Sequence, residues 1–156
     1  AAFNMYPTLE EKKDILENAV LVAKACGVEL PKVAPLAAVE VVNPKMPATL
    51  DAAELTKMNE NGEITGCIVD GPLAFDLAIS KEAAIHKGMT NRKIVGDADV
   101  LLVPTIEVGN VLYKCFGHVA TSKSGALLVG TSAPVVLTSR SDSYETKLNS
   151  IALTVS

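Results

Sequence analysis

The sequence predicts an α/β chain, a mostly parallel sheet with helices on both faces, and three observations carry that prediction. Short, nearly all-apolar runs alternate with helical patterns along the chain, as strands buried on both faces require. The hydrophobic fraction is 49% of 156 residues, aromatics make up 4% and tryptophan is absent, so Val, Leu, Ile and Ala must fill packed layers. Polar and glycine-rich turns gather where the apolar runs end, and ligands in open α/β sheets sit beyond the carboxyl ends of the strands.

Taken in order, Thr8 caps a helix start and Glu11 returns the bond. Leu9, Ile15, Leu16, Ala19, Val20 and Ala23 keep helical spacing until Gly27 stops the helix. Residues 33–42 are expected as a strand with a turn or bulge at Pro35, and Thr49 starts a short helix over 50–59. Residues 64–70 read as a buried strand closed by Gly71-Pro72. Helix follows through Phe75 and Ile79 to about Lys87, with a break near Ser80. Ile94-Val95 suggests a brief strand and 100–104 a longer one, before Glu107-Val108-Gly109-Asn110 opens a helix carrying Val111, Tyr113, Lys114 and Phe116. Residues 126–129 and 135–137 supply the last strands, and 144–155 the last helix.

Several classes of function are set aside by what the chain lacks. A net charge of −4 with interspersed signs, and no basic stripe with aromatics, argues against nucleic acid. No apolar run approaches a membrane span and no signal-peptide pattern is present, so no membrane partner is expected. Cys26, Cys67 and Cys115 lie far apart in apolar surroundings and form no CxxC pair, which points to the reducing cytoplasm. His86 and His118 are isolated and lack metal-ligand spacing, so no metal is expected. There is no Walker lysine loop, no GxGxxG and no Ser-His-Asp grouping. Asp97 and Asp99 read as turn carboxylates that bond their own backbone. The start at Ala1, without methionine, leads us to expect a processed or excised part of a longer protein.

The stretch richest in chemistry follows the last strand. Thr138-Ser139-Arg140-Ser141-Asp142-Ser143 places four hydroxyls, one arginine and one carboxylate within six residues, just before a helix N-terminus. Free backbone N–H groups, hydroxyl donors and a guanidinium in one place make an anion site suited to phosphate. Arg140 is one of only two arginines, with Arg92. The plainer alternative is a polar turn in which Asp142 caps the helix and Glu145 completes a capping box. Other polar residues at run ends are Asp70, Asp76, Glu107 and Asn110, and Lys114 offers a second positive charge to an anion.

Four motifs, in this order, resemble the phosphate acetyl/butyryltransferases: Gly71-Pro72-Leu73-Ala74-Phe75-Asp76; the run from Gly96-Asp97-Ala98-Asp99 to Pro104; Gly109-Asn110 with Tyr113-Lys114; and Thr138 to Ser143. The ending Glu145-Thr146-Lys147-Leu148-Asn149-Ser150-Ile151-Ala152-Leu153 leans to the phosphate butyryltransferase branch. The resemblance implies an enzyme that moves a short or branched acyl group between coenzyme A and inorganic phosphate, with coenzyme A as substrate and no cofactor. It also implies an isocitrate/isopropylmalate dehydrogenase-like fold of two α/β domains around a cleft. On that expectation residues 1–137 form the second domain. Residues 138–156 then form the active-site turn and a helix that packs on a missing N-terminal half, in a homo-oligomer. By resemblance Arg140 holds the phosphoryl group and Ser139 positions the thiol or the leaving oxygen. Thr146 stands where the acetyltransferase branch has an aspartate base, so Asp142, with Glu145 as substitute, is the expected base. Thr138, Ser141, Asp76, Asn110 and Lys114 are the expected substrate-binding residues. A non-catalytic phosphate or coenzyme A binding module is the alternative. A decarboxylating dehydrogenase is disfavoured, because it needs metal-binding aspartates and an arginine cluster.

Overall fold

The computed structural model describes residues 3–120 and 122–155, and the chain groups into two compact units, Pro7–Pro104 and Ala1–Tyr6 with Thr105–Ser156. In the Pro7–Pro104 unit, helix α1 (Leu9–Ala25) starts on the expected capping box of Thr8 and Glu11. Strand β1 (Lys32–Pro35) is followed by α2 (Pro47–Glu60), β2 (Ile68–Val69), the short helices α3 (Phe75–Ile79) and α4 (Lys81–His86), and β3 (Val100–Leu102). The three strands form a parallel sheet in the order β2-β1-β3, with Val33 opposite both Val69 and Val100.

Period-two alternation along β1 distributes the core between the two faces. Val33 joins Leu16 and Val20 of α1, Leu55 of α2, Val69 and Leu102, whereas its neighbour Ala34 joins Leu77 and Ala78 of α3, Ala84 of α4 and Ile94. The sheet is therefore covered on both faces, as near-continuous apolar strands demand. Ser80 breaks the helix where expected and caps α4, its hydroxyl accepting from Ala83 N–H at 3.2 Å.

Four local expectations need correction. The strand expected over 33–42 ends at Pro35, beyond which Leu36 makes only an isolated bridge to Leu73. Only Ile68 and Val69 of the run 64–70 enter the ladder, because the Asn59 side chain replaces strand pairing: it donates to the carbonyls of Ile64 and Cys67 and accepts from Val69 N–H. Asp70 is not a solvent-facing strand-end carboxylate. It is buried and paired with Arg92, whose Nη2 lies 2.7 Å from Oδ1, while Ile94 N–H donates to Oδ2 at 3.0 Å. Ile94 N–H is spent on Asp70 and Val95 N–H on Asp97, and 94–95 forms no strand. Asp97 does bond its own turn, accepting from Val95 N–H at 2.9 Å, and pairs with Lys32.

In the unit containing Thr105–Ser156, helix α5 (Ile106–His118) precedes β4 (Leu127–Leu128), β5 (Val135–Val136) and α6 (Tyr144–Val155). The sequence places these last strands in the mostly parallel sheet, but β4 and β5 pair antiparallel with each other, Leu127 opposite Val136. Their connection, residues 129–134, is far shorter than the dozen or so residues of a parallel crossover. At the other end of the unit, Ile106 N–H donates to Met5 C=O at 2.9 Å and the Tyr6 hydroxyl donates to Glu107. No helix among the described residues is long and apolar enough to cross a membrane.

Gly96 is the position where the fold of the Pro7–Pro104 unit depends on having no side chain. Its φ is +77°, and a Cβ there would sit 2.2 Å from Lys81 N and 2.4 Å from Ser80 C, at the start of α4. Gly96→Ala is expected to lower the unfolding free energy by about 2–4 kcal/mol, from left-handed strain plus a backbone collision. Urea unfolding measures it, and an unchanged midpoint would contradict the close approach.

Candidate active site

Between β5 and α6 the chain passes from extended to helical backbone, and it does so through a closed turn. Asp142 N–H donates to Ser139 C=O at 3.1 Å, and Ser139 N–H donates back to Asp142 Oδ2 at 2.7 Å. These reciprocal bonds leave Arg140 and Ser141 at the corner. Arg140 is exposed, and among the described residues its guanidinium is committed to no hydrogen bond or ion pair. The Ser139 and Ser141 hydroxyls lie 3.1 Å apart, and Thr138 is half-buried at the start of the turn.

Asp142 is held from its other side by α5. The Tyr113 phenol oxygen lies 2.9 Å from both carboxylate oxygens. Burial first, then the hydrogen bond and charge of Asp142, push that phenol up from 10.0 to about 12, so it remains a donor at neutral pH. Asp142 consequently does not cap α6, as the plainer sequence reading has it. Ser143 does, its hydroxyl accepting from Thr146 N–H at 3.1 Å. Thr146 Oγ1 lies 3.1 Å from the Ser143 hydroxyl and 3.4 Å from that of Ser124.

Beside the turn, α5, residues 122–124 and the first turns of α6 enclose a polar cavity of about 340 Å³. Lys114, Ser141 and Asp142 line it together with Tyr113, His118, Lys123, Glu145, Thr146 and Asn149. It thus joins three of the sequence-predicted residues. Asn110 is exposed on α5 and is not part of that lining. Asp76 belongs to the Pro7–Pro104 unit, on the first turn of α3. There Lys87 lies 3.0 Å from its carboxylate and holds its pKa below the usual value. No cluster of three or more His, Cys, Asp or Glu among the described residues is arranged to hold a metal ion.

Helix α6 is anchored by one buried side chain. Ser150 Oγ accepts from Ala126 N–H at 2.8 Å and donates to Thr146 C=O at 2.7 Å. Gly125 lets the chain approach α6, since a Cβ there would lie 3.1 Å from the backbone of Asn149.

The family model described as phosphate acetyl/butaryl transferase matches residues 1–155. The chain belongs to this family. It is 64% identical over 152 residues to a phosphate butyryltransferase of Clostridium acetobutylicum, covering 97% of the chain and 50% of that relative. With a phosphate acetyltransferase of Thermotoga maritima it shares 54% identity over 147 residues, covering 94% of the chain and 50% of the relative. Among solved structures, a branched-chain phosphotransacylase from Enterococcus faecalis V583 superposes with a TM-score of 0.89 at 46% identity, over 99% of this chain and 55% of that one. The α/β architecture with its parallel sheet is thus that of the phosphotransacylases. The chain spans about half the length of the curated relatives it matches.

Tyr113 stands beside Lys114 in the sequence without a role that its type or spacing assigns. The available signal was a phenol one helix turn beyond Gly109-Asn110, but nothing in the sequence says that it meets Asp142, 29 residues on.

Ser150→Ala leaves the buried Ala126 N–H without its acceptor, so a loss of about 1–3 kcal/mol is expected. Amide exchange at Ala126 should accelerate in parallel, and retained protection there would show that Ser150 does not anchor α6.

Proposed function

We propose that this chain forms part of a phosphate acyltransferase that moves a short or branched acyl group between coenzyme A and inorganic phosphate. The observation that carries the reading is Arg140: an exposed guanidinium, uncommitted among the described residues, at the corner of a hydroxyl-rich turn, in a chain of the phosphate acetyl/butaryl transferase family. Arg92, the other arginine, is consumed by Asp70. Starting from acyl phosphate, Asp142 takes the thiol proton, and the sulfur attacks the acyl carbonyl. The carbon–oxygen bond to phosphate then breaks. In reverse, a phosphate oxygen attacks the thioester carbonyl and the thiolate departs, recovering its proton. Arg140 binds the phosphoryl oxygens as a two-pronged donor, and Ser139 positions the sulfur or the leaving oxygen. No cofactor takes part in either direction.

Thr138, Ser141, Asn110 and Lys114 are proposed as substrate-binding groups, Lys114 from the polar cavity beside the turn. Asp76 is included as a carboxylate presented with Lys87. The relatives' double length supports a cleft completed by a second α/β half, in the isocitrate/isopropylmalate dehydrogenase-like arrangement. On this reading residues 138–156 pack on that half. Tyr144, Leu148, Ile151 and Val155 are exposed along one stripe of α6, which supports a covering partner there. A homo-oligomer in a reducing cytoplasm completes the proposal, in keeping with three free cysteines.

The test is release of free thiol from butyryl-coenzyme A by the full-length protein carrying this sequence, with acetyl-coenzyme A for comparison. Release should require phosphate, and Arg140→Ala should lower kcat/KM by roughly 10²–10³-fold. A folded protein that binds coenzyme A yet releases no thiol would overturn the transferase and leave a binding module.

A further inference from the structure

The turn that carries Arg140 is shaped by a group outside it. Tyr113 sits on α5, 29 residues from Asp142, and its phenol oxygen bridges both oxygens of that carboxylate at 2.9 Å. The same carboxylate accepts from Ser139 N–H at 2.7 Å through Oδ2. A continuous chain of donors and acceptors therefore runs from the α5 phenol through Asp142 to the backbone of Ser139, adjacent to Arg140. Two donors, one from α5 and one from the turn itself, leave the carboxylate little rotational freedom, as when a base is oriented by a third group.

We infer that Tyr113 is a positioning residue of the acyl transfer site, acting through Asp142 to hold the Ser139-Arg140 corner in one geometry. The inference rests on the transferase reading for its kinetic consequence, and on distances alone for the bond itself. Misplacing catalytic groups by about an ångström lowers turnover by roughly 10²-fold, so a hydrogen bond that fixes the corner acts on kcat more than on affinity. Lys114, His118, Lys123 and Glu145 share the cavity with this pair. Because the phenol is held protonated far above neutral pH, it remains a donor to Asp142 throughout the working range.

Tyr113→Phe keeps the ring and removes the donor. In the full-length enzyme it should lower kcat roughly tenfold while leaving KM for phosphate and butyryl-coenzyme A within about twofold, and amide exchange at Ser139 should accelerate. Asp142→Asn should lower kcat as well, and the double variant should fall no further than the worse single one, since both act in one chain. Phenolate absorption supplies a readout that needs no activity. The tyrosine signal lost in Tyr113→Phe should titrate near pH 12 in the parent and lower in Asp142→Asn. An unchanged kcat with unchanged Ser139 exchange in Tyr113→Phe, or a double variant whose losses multiply, overturns the inference. If the parent itself transfers no acyl group, the transferase reading fails, while the titration and exchange still decide whether Tyr113 holds the turn.

Discussion

The Asp142 carboxylate is the interaction on which the region after β5 depends. A strand handing over to a helix leaves several backbone groups without partners, and a hydroxyl-rich sequence offers many competing ways to satisfy them. Asp142 selects one by accepting from Ser139 N–H and from the Tyr113 phenol at once, while its own N–H returns to Ser139 C=O. With Asp142 so committed, capping falls to Ser143, and α6 begins in fixed register. Ser150, two turns along, then reaches Ala126 and ties the helix to the chain entering β4. Corner, cap and anchor are successive consequences of where one carboxylate points.

The two arginines illustrate how burial sorts identical side chains into different roles. Arg92 is drawn into the Pro7–Pro104 unit by the buried Asp70, and it also donates to the carbonyls of Pro72 and Glu40. A carboxylate withdrawn from water must be paired and hydrogen-bonded, and Arg92 with Ile94 N–H meets that demand. Its guanidinium is thereby spent on joining the turn after β2 to the segment before β3. Arg140 has no such partner among the described residues and faces solvent. A guanidinium that no described residue engages, beside serine hydroxyls, is therefore available to bind an oxyanion.

What was legible in the sequence was what short-range chemistry dictates. Thr8, Glu11 and Ser80 acted where their types and spacing indicate, and α6 spans the expected 144–155. The apolar runs marked β1 and β3 because strands buried on both faces need no polar alternation. What was not legible depended on partners distant in the chain. Residues 64–70 look like one strand until the Asn59 amide takes over half the pairing. Asp70 looks like a cleft carboxylate until Arg92 reaches it from 22 residues away. Likewise Asp142 and Ser143 both suit an N-cap by type, and the bonds from Ser139 N–H and the α5 phenol commit Asp142 elsewhere.

Solvation decides what the exposed corner can do alone. Two unit charges 4 Å apart attract by about 1 kcal/mol in water, but by about 4 kcal/mol at an effective dielectric near 20. Arg140 stands in water, so its pull on a phosphate lies near the smaller figure, enough to recruit an anion but not to stabilise the charge of a transition state. The proposed transferase therefore needs bound substrate, or a surface covering the corner, to displace that water. Such a cover strengthens the arginine without moving it, provided that the corner already has its final shape. The reciprocal bonds between Ser139 and Asp142, backed by Tyr113, supply that shape beforehand, and preorganisation of this kind is what makes late desolvation effective.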